Sequence, residues 1–176
     1  MEFKNEATLK GEIVSKYNAK GGHVVLTVRT YKFNLPTVFF PNGLPAQEAD
    51  KYDIGDTVYI KGNLQSRKFP GHFSCSIFGD KISSVEDDNR KNHFEVSGRL
   101  IRITTSDNMC SFLVETNTGY YSTVPVVMYR NKNIEKLLKH EIGDFLTLYG
   151  VVQTKKIVDV NGERHYYENY VAYSCA

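Results

Sequence analysis

IGDTVYIKGNLQSRK, residues 54–68, has a near copy in IGDFLTLYGVVQTKK, residues 142–156. Each begins Ile-Gly-Asp, carries a Gly six residues after the Asp and a Gln three further on, and ends in Ser or Thr followed by two basic residues. The copies start 88 residues apart, half of the 176-residue chain. A repeat on this scale decides architecture before any single element does, and the flanking segments repeat with it. LKGEIVSK around Gly11 answers VSGRLIRI around Gly98 at an offset of 87. VVLTVRT from Val24 answers FLVETNT from Phe112 at 88, and PTVFF from Pro36 answers PVVMY from Pro125 at 89. Between the halves, SSVEDDNRKN is polar and without apolar periodicity, which marks a linker.

Both halves follow one plan. Alternating apolar and polar residues mark strands, as in Val24, Leu26 and Val28 against Val25, Thr27 and Arg29. Strands are expected near Ala7–Lys16, His23–Lys32 and Leu35–Phe40, followed by a short helix in PAQEADKY, and in NIEKLLKH of the second half. Ile134, Leu137 and Leu138 give the second helix its apolar stripe. The repeated element is the fourth strand, and a fifth ends each half near His72–Ser83 and Arg164–Ser174. Three strands, a helix and two strands is the order of a five-stranded OB barrel. A Gly within the fourth strand suits a strand that bends as such a barrel closes. The expectation is a mostly β chain of two tandem five-stranded OB-fold barrels, residues 1–86 and 93–176, joined by linker 87–92.

Composition narrows the class. Hydrophobic residues at 41% and charged residues at 24% are those of an ordinary folded chain. A net charge of +2 does not by itself mark a nucleic-acid partner, so placement of the charges must do so. Cys75, Cys110 and Cys175 are odd in number and lack a CxxC spacing, which favours neither a disulfide framework nor a zinc site. MEFKNE has no apolar signal region, and no run reaches membrane-spanning length, so a soluble cytoplasmic protein without membrane contact is expected.

In NEATLKGEIVSK, GGHVVLTVRT and GDTVYIKGNLQSRKF the first half resembles bacterial and phage-type single-stranded DNA-binding proteins. The second half is more diverged but keeps GDFLTLYGVVQTKK and NGERHYYENYVAYS. The resemblance implies OB folds that bind single-stranded DNA in replication, recombination or repair, and a dimer, since relatives assemble four such folds. Members commonly stack bases on Trp and recruit partner proteins through an acidic tail. This chain has no Trp and stops at VAYSCA, so Tyr and Phe are expected to take the stacking role, and any replication or recombination partner is expected to be met otherwise than through such a tail.

Sequence-tolerant binding needs a basic groove for phosphates and flat side chains for bases. In TVYIKG, Val58 and Ile60 face the core, leaving Tyr59 and Lys61 outward. Leu146 and Leu148 leave Phe145 and Tyr149 outward in the second copy. Arg29, Tyr31 and Phe33 share the outward parity of strand two. Phe40 aligns with Tyr129, followed by Arg130, and matches by position an aromatic that the family stacks on bases. SRKFPGHF adds Arg67, Lys68, Phe69 and Phe73; Tyr121, Lys155, Lys156, Arg164, Tyr166 and Tyr167 complete the candidates in the second half. The same aromatics also suit core and cross-strand packing, and the basic pairs suit strand edges. Asp56 and Asp144 are read as holding the turn before the fourth strand.

No catalytic constellation is evident. The five His residues are scattered, without metal-ligand spacing, and no phosphate loop, GxSxG or paired-acid motif occurs. A non-enzymatic DNA-binding protein without cofactors is expected. The rivals are an assembly factor of a primosome or conjugation complex, whose outward aromatics form a protein interface, and an RNA-binding protein.

Overall fold

The structure is a computed structural model describing residues 2–70, 72–117 and 123–176. The first half gives β1 (Lys4–Asn18), β2 (Val24–Arg29), β3 (Asn34–Phe39), α1 (Pro45–Asp50), β4 (Thr57–Phe69) and β5 (His72–Ser84). The second gives β6 (Lys91–Thr105), β7 (Met109–Glu115), β8 (Thr123–Tyr129), α2 (Ile134–Leu137), β9 (Phe145–Val158) and β10 (Arg164–Cys175). Both helices are shorter than their sequence stretches. Each buries one i, i+3 pair, Ala46 with Ala49 and Ile134 with Leu137, while Leu138 remains 42% exposed. One buried turn gives little to propagate a longer helix.

The ten strands join in one hydrogen-bonded sheet, in the order β2-β3-β5-β4-β1-β6-β7-β8-β10-β9, with further pairings β1–β2 and β6–β9. The expected pair of tandem barrels is thereby corrected. The chain is one OB-like fold, in which β1–β5 close as a five-stranded barrel and the other strands continue the same sheet through β6. The reason lies at a strand edge. β1 begins at Lys4, earlier than its apolar alternation indicates, and the Lys4 ammonium reaches Glu95 of β6 at 2.8 Å. An edge strand offers unpaired backbone groups to whatever lies beside it, and a repeat in sequence does not reveal which strand takes them up.

By compactness the chain divides into two units, one of Glu6–Leu64 with Ser76–His93, the other of Met1–Asn5, Gln65–Cys75 and Phe94–Ala176. In the first, Leu9, Ile13, Leu26, Leu35, Phe39, Val58, Ile60 and Ile77 are buried to 1% exposure or less. In the second, Phe94, Val96, Val114, Val126, Leu148 and Tyr170 play this part, and Phe94 meets Tyr170 edge to face at 6.2 Å. Each fully buried Leu, Ile or Phe contributes about 1.5–3 kcal/mol.

The turns of the repeated element form as residue chemistry indicates, and its glycines serve close strand approach. Asp56 accepts a hydrogen bond from the Asp53 N–H at 2.8 Å, and Asp144 accepts one from Glu141 at the same distance, closing matching turns before β4 and β9. Gly62 lies against β5 so closely that a Cβ would meet the Phe78 carbonyl oxygen at 2.0 Å. At Gly150 the corresponding contact is the Val171 carbonyl at 2.1 Å. Among the described residues, no helix is long and apolar enough to cross a membrane.

Candidate nucleic-acid interface

In the unit holding β2, β3 and the later part of β5, Phe40 follows β3 and is 39% exposed. Its ring meets His23 at 4.9 Å and Phe78 at 4.7 Å, both edge to face, so its exposed face is held by two neighbours. Neither His23 nor Phe78 was a candidate from the sequence. Phe78 shared its segment with apolar strand residues, and His23 stood beside GG, where a turn residue is expected.

Arg29, Tyr31 and Phe33 are not brought to this cluster. β2 pairs with β3 from Val24–Phe39 to Arg29–Asn34, so Arg29 sits five strand steps, about 17 Å, from the Phe40 end. The strand also ends sooner than its expected Lys32. The Thr30 N–H and hydroxyl both donate to the Phe33 carbonyl, at 3.0 Å each, and turn the chain there. Strand parity therefore does not govern Tyr31 and Phe33; Tyr31 projects at 71% exposure and Phe33 is half-buried.

Tyr59 and Lys61 lie on β4, opposite Lys10 and Thr8 of β1. Lys61 pairs with Glu6 at 3.5 Å. Tyr149 sits opposite Glu95 of β6, and Phe145 is half-covered by Phe3, with ring centroids 5.4 Å apart.

The other unit gathers most of the remaining candidates. Tyr129 ends β8 at 37% exposure, and the Lys155 ammonium of β9 stands 5.4 Å from its ring centroid. Lys155 faces Tyr167 across the β9–β10 pair, and Lys156 faces Tyr166. The Lys155 pKa is raised above the ordinary lysine value, chiefly by hydrogen bonding to the Tyr129 side chain, with burial opposing and both tyrosines, Tyr129 and Tyr167, adding to the rise. Arg67 lies 5.2 Å from the Phe69 ring centroid at the end of β4, beside exposed Lys68. Arg130 and Arg164 are exposed, and Arg164 opens β10 opposite Val158. Tyr121 lies outside the described residues.

Lys4, Lys10, Lys16, Lys51 and Lys61 are each ion-paired with a carboxylate. Among the described residues, no carboxylate lies within ion-pair distance of Arg29, Arg67, Lys68, Arg130, Lys155, Lys156 or Arg164. A cation without a carboxylate beside it keeps its charge available to a phosphate.

Two further features escaped the sequence. A cavity of about 300 Å³ opens on the outward face of β7 and β8, walled by Phe73, Tyr167, Arg102 and Asn169. At the β9–β10 turn, Asp159, Glu163 and His165 place ligating atoms within 4.8 Å of one another. The Asp159 carboxylate is engaged there, accepting from the Asn161 and Glu163 N–H groups at 2.9 Å and meeting His165 at 2.9 Å. The His165 contact and these backbone donors hold its pKa below the ordinary carboxylate range. The turn's own geometry accounts for the cluster.

The fold is that of a β protein of OB-like class, with cations set beside exposed rings on β4, β8, β9 and β10. No family model matches the chain, and no curated protein matches it in sequence. Among solved structures it is similar to the single-stranded DNA-binding protein from Thermus aquaticus. The wild-type crystal structure aligns at 13% identity and a TM-score of 0.71, covering 100% of this chain and 93% of that one. A deletion mutant of the same protein aligns with equal identity and TM-score over 99% of this chain and 94% of that one. This likeness extends over the whole chain and supports the OB-like fold.

Proposed function

We propose that this protein binds single-stranded DNA with little sequence preference and performs no catalysis. The observation that carries the reading is the pairing of cations with exposed rings: Arg67 beside Phe69, Lys155 beside Tyr129 and opposite Tyr167, and Lys156 opposite Tyr166, none of these cations having a carboxylate partner among the described residues. Such a surface neutralises phosphates while rings take up bases, each stacked base contributing about 1–3 kcal/mol. The whole-chain structural likeness to a single-stranded DNA-binding protein supports it. The setting we propose is replication, recombination or repair in the cytoplasm of a bacterium or phage-infected cell, with the chain acting as a homodimer.

Fluorescence anisotropy of a labelled oligo-dT, titrated at salt concentrations between about 50 and 200 mM, tests the reading. Affinity is expected to fall on a straight log–log line, as counterion release requires. No binding at the lowest salt, or an affinity indifferent to salt, overturns it. Competition by oligo-U at equal strength would turn the assignment towards RNA, and light scattering in solution reports the dimer.

A further inference from the structure

We infer that Cys175, His140 and Asp144 form a modification site at which a hydroperoxide oxidises the Cys175 thiol; none of the three belongs to the cation and ring pairs described above. The Cys175 Sγ lies 3.9 Å from His140 Nε2, and the other ring nitrogen, Nδ1, lies 3.7 Å from the Asp144 carboxylate. A nucleophile beside a base, with a third group behind the base, is the arrangement that activates a weakly nucleophilic side chain. In the sequence the histidines look scattered, because the residue that meets His140 is 35 positions away.

Each member is held by its own backbone. The single turn of α2 is followed by the His140 N–H donating to the Leu137 carbonyl at 3.1 Å, which leaves the imidazole just past the helix. Asp144 closes the Ile-Gly-Asp turn by accepting from the Glu141 N–H at 2.8 Å. Cys175 ends β10, where the Ala176 N–H donates to the Thr147 carbonyl at 2.8 Å and the Thr147 N–H donates back at 3.0 Å. The Asn133 amide donates to the Tyr173 carbonyl at 2.9 Å, tying the start of α2 to the same end of β10. The turn itself does not require the histidine. Asp56 closes the matching turn of the first half, and the residue four before it is Tyr52.

Burial raises the Cys175 pKa above the ordinary thiol value, and the Lys136 ammonium opposes that rise. The thiol is therefore protonated at rest and needs a base in the reacting step. His140 takes the thiol proton on Nε2 as the sulfur attacks the terminal oxygen of the peroxide, and Asp144 stabilises the imidazolium so formed. The O–O bond breaks, and the leaving oxygen takes the proton from His140. The products are a sulfenic acid and water, or an alcohol where the peroxide is organic. Sulfur gives up two electrons and the peroxide accepts them. Cys175 and His140 are both half-buried, which admits so small an oxidant. The other two thiols lack this setting. Cys75 is pushed up to about 12 by burial and by the Glu168 charge, and Cys110 is fully buried.

The test treats the full chain with substoichiometric hydrogen peroxide at neutral pH, traps sulfenic acid with dimedone and locates the label by peptide mass spectrometry. Cys175 is expected to be labelled ahead of Cys75 and Cys110, and dithiothreitol added before the trap should restore its thiol. His140→Ala should slow the labelling about hundred-fold, the lower end of what a positioned base contributes. Added imidazole should recover part of that loss, which a histidine with a merely structural role would not allow. Asp144→Asn, which keeps an acceptor for the Glu141 N–H, should slow it less. If circular dichroism shows His140→Ala unfolded, the rate loss in His140→Gln carries the same test. Cys175 labelled no faster than Cys75, a rate unmoved by the His140 variants, or a folded His140→Ala that imidazole does not rescue overturns the site. Oligonucleotide binding enters none of these measurements, so the function proposed above and this site stand or fall separately.

Discussion

The Lys155 ammonium stands over the face of Tyr129, 5.4 Å from the ring centroid, and the two come from different strands, β9 and β8. A cation held against a ring keeps it in one orientation, and cation–π contact is worth about 0.5–1 kcal/mol at an exposed site. The pair thus fixes a flat surface and a positive charge beside each other, the two elements that a base and its phosphate need.

Tyr129→Ala is expected to weaken oligo-dT binding by about 1–3 kcal/mol, the range for a lost stacking ring. Tyr129→Phe should retain most of the affinity. Lys155→Gln should flatten the salt dependence by about 0.7, the slope lost per phosphate contact on a single strand. Because the Lys155 pKa is raised, the ammonium stays charged throughout neutral and mildly alkaline solution. Its contribution to the salt slope should therefore be the same at pH 6 and pH 9, which anisotropy titrations at both values would check.

Lys61 and Arg67 make a matched contrast. Lys61 is paired with Glu6 at 3.5 Å, whereas among the described residues Arg67 has no carboxylate partner and lies by the Phe69 ring. Lys61→Gln is expected to leave affinity and salt slope within error of the wild type. Arg67→Gln should lower both. Equal losses from the two substitutions would show that sequence position, and not pairing, determines which cations meet DNA.

Close approach at Gly62 gives a stability prediction. An added Cβ would lie 2.0 Å from the Phe78 carbonyl oxygen, a backbone atom that cannot move aside without shifting β5. Gly62→Ala is expected to cost several kcal/mol and to lower the melting temperature by about 2–4 °C for each, or to prevent folding. Gly150→Ala should behave alike, its Cβ meeting the Val171 carbonyl at 2.1 Å. Thermal unfolding followed by circular dichroism reads both.

The glycines were expected to bend their strands, and the close approach they permit was not read; the buried positions and turns of the same element were legible in the sequence. Alternation placed Val58, Ile60, Leu146 and Leu148 inside, and all four are buried. The turn role of Asp56 and Asp144 followed from residue chemistry alone. Parity stopped being informative where the backbone left the strand, which is why Arg29, Tyr31 and Phe33 do not join Phe40. It also describes only a strand's own sheet. Nothing in the alternation of β4 and β5 states that the Gln65–Cys75 arm lies with Thr123 and Tyr170, since those contacts span 57 and 105 residues. The tandem-barrel expectation failed for a related reason: a repeat records how strands are built, and pairing at the Lys4 end of β1 is a matter of what lies alongside.

Glu168 of β10 provides the last prediction, one of pH. Burial raises its pKa above the ordinary glutamate value, and its charge adds to the burial that pushes the neighbouring Cys75 thiol up to about 12. An acid whose folded pKa lies above its unfolded one favours folding while both states are protonated. That contribution is complete below the unfolded pKa, about 4.3, and is lost as pH rises through the folded value. At neutral pH the wild type therefore carries a charge that the fold disfavours. Glu168→Gln should raise the melting temperature at pH 7, by about 2–4 °C for each kcal/mol regained, and the gain should shrink towards pH 4. A variant less stable than the wild type at pH 7 would mean that the ionised carboxylate has a stabilising partner, and a gain independent of pH would mean that its ionisation is irrelevant. Cys75 should react slowly with thiol reagents in the wild type near pH 8, because so high a pKa leaves little thiolate. Removing the Glu168 charge should speed that reaction, giving a readout independent of stability.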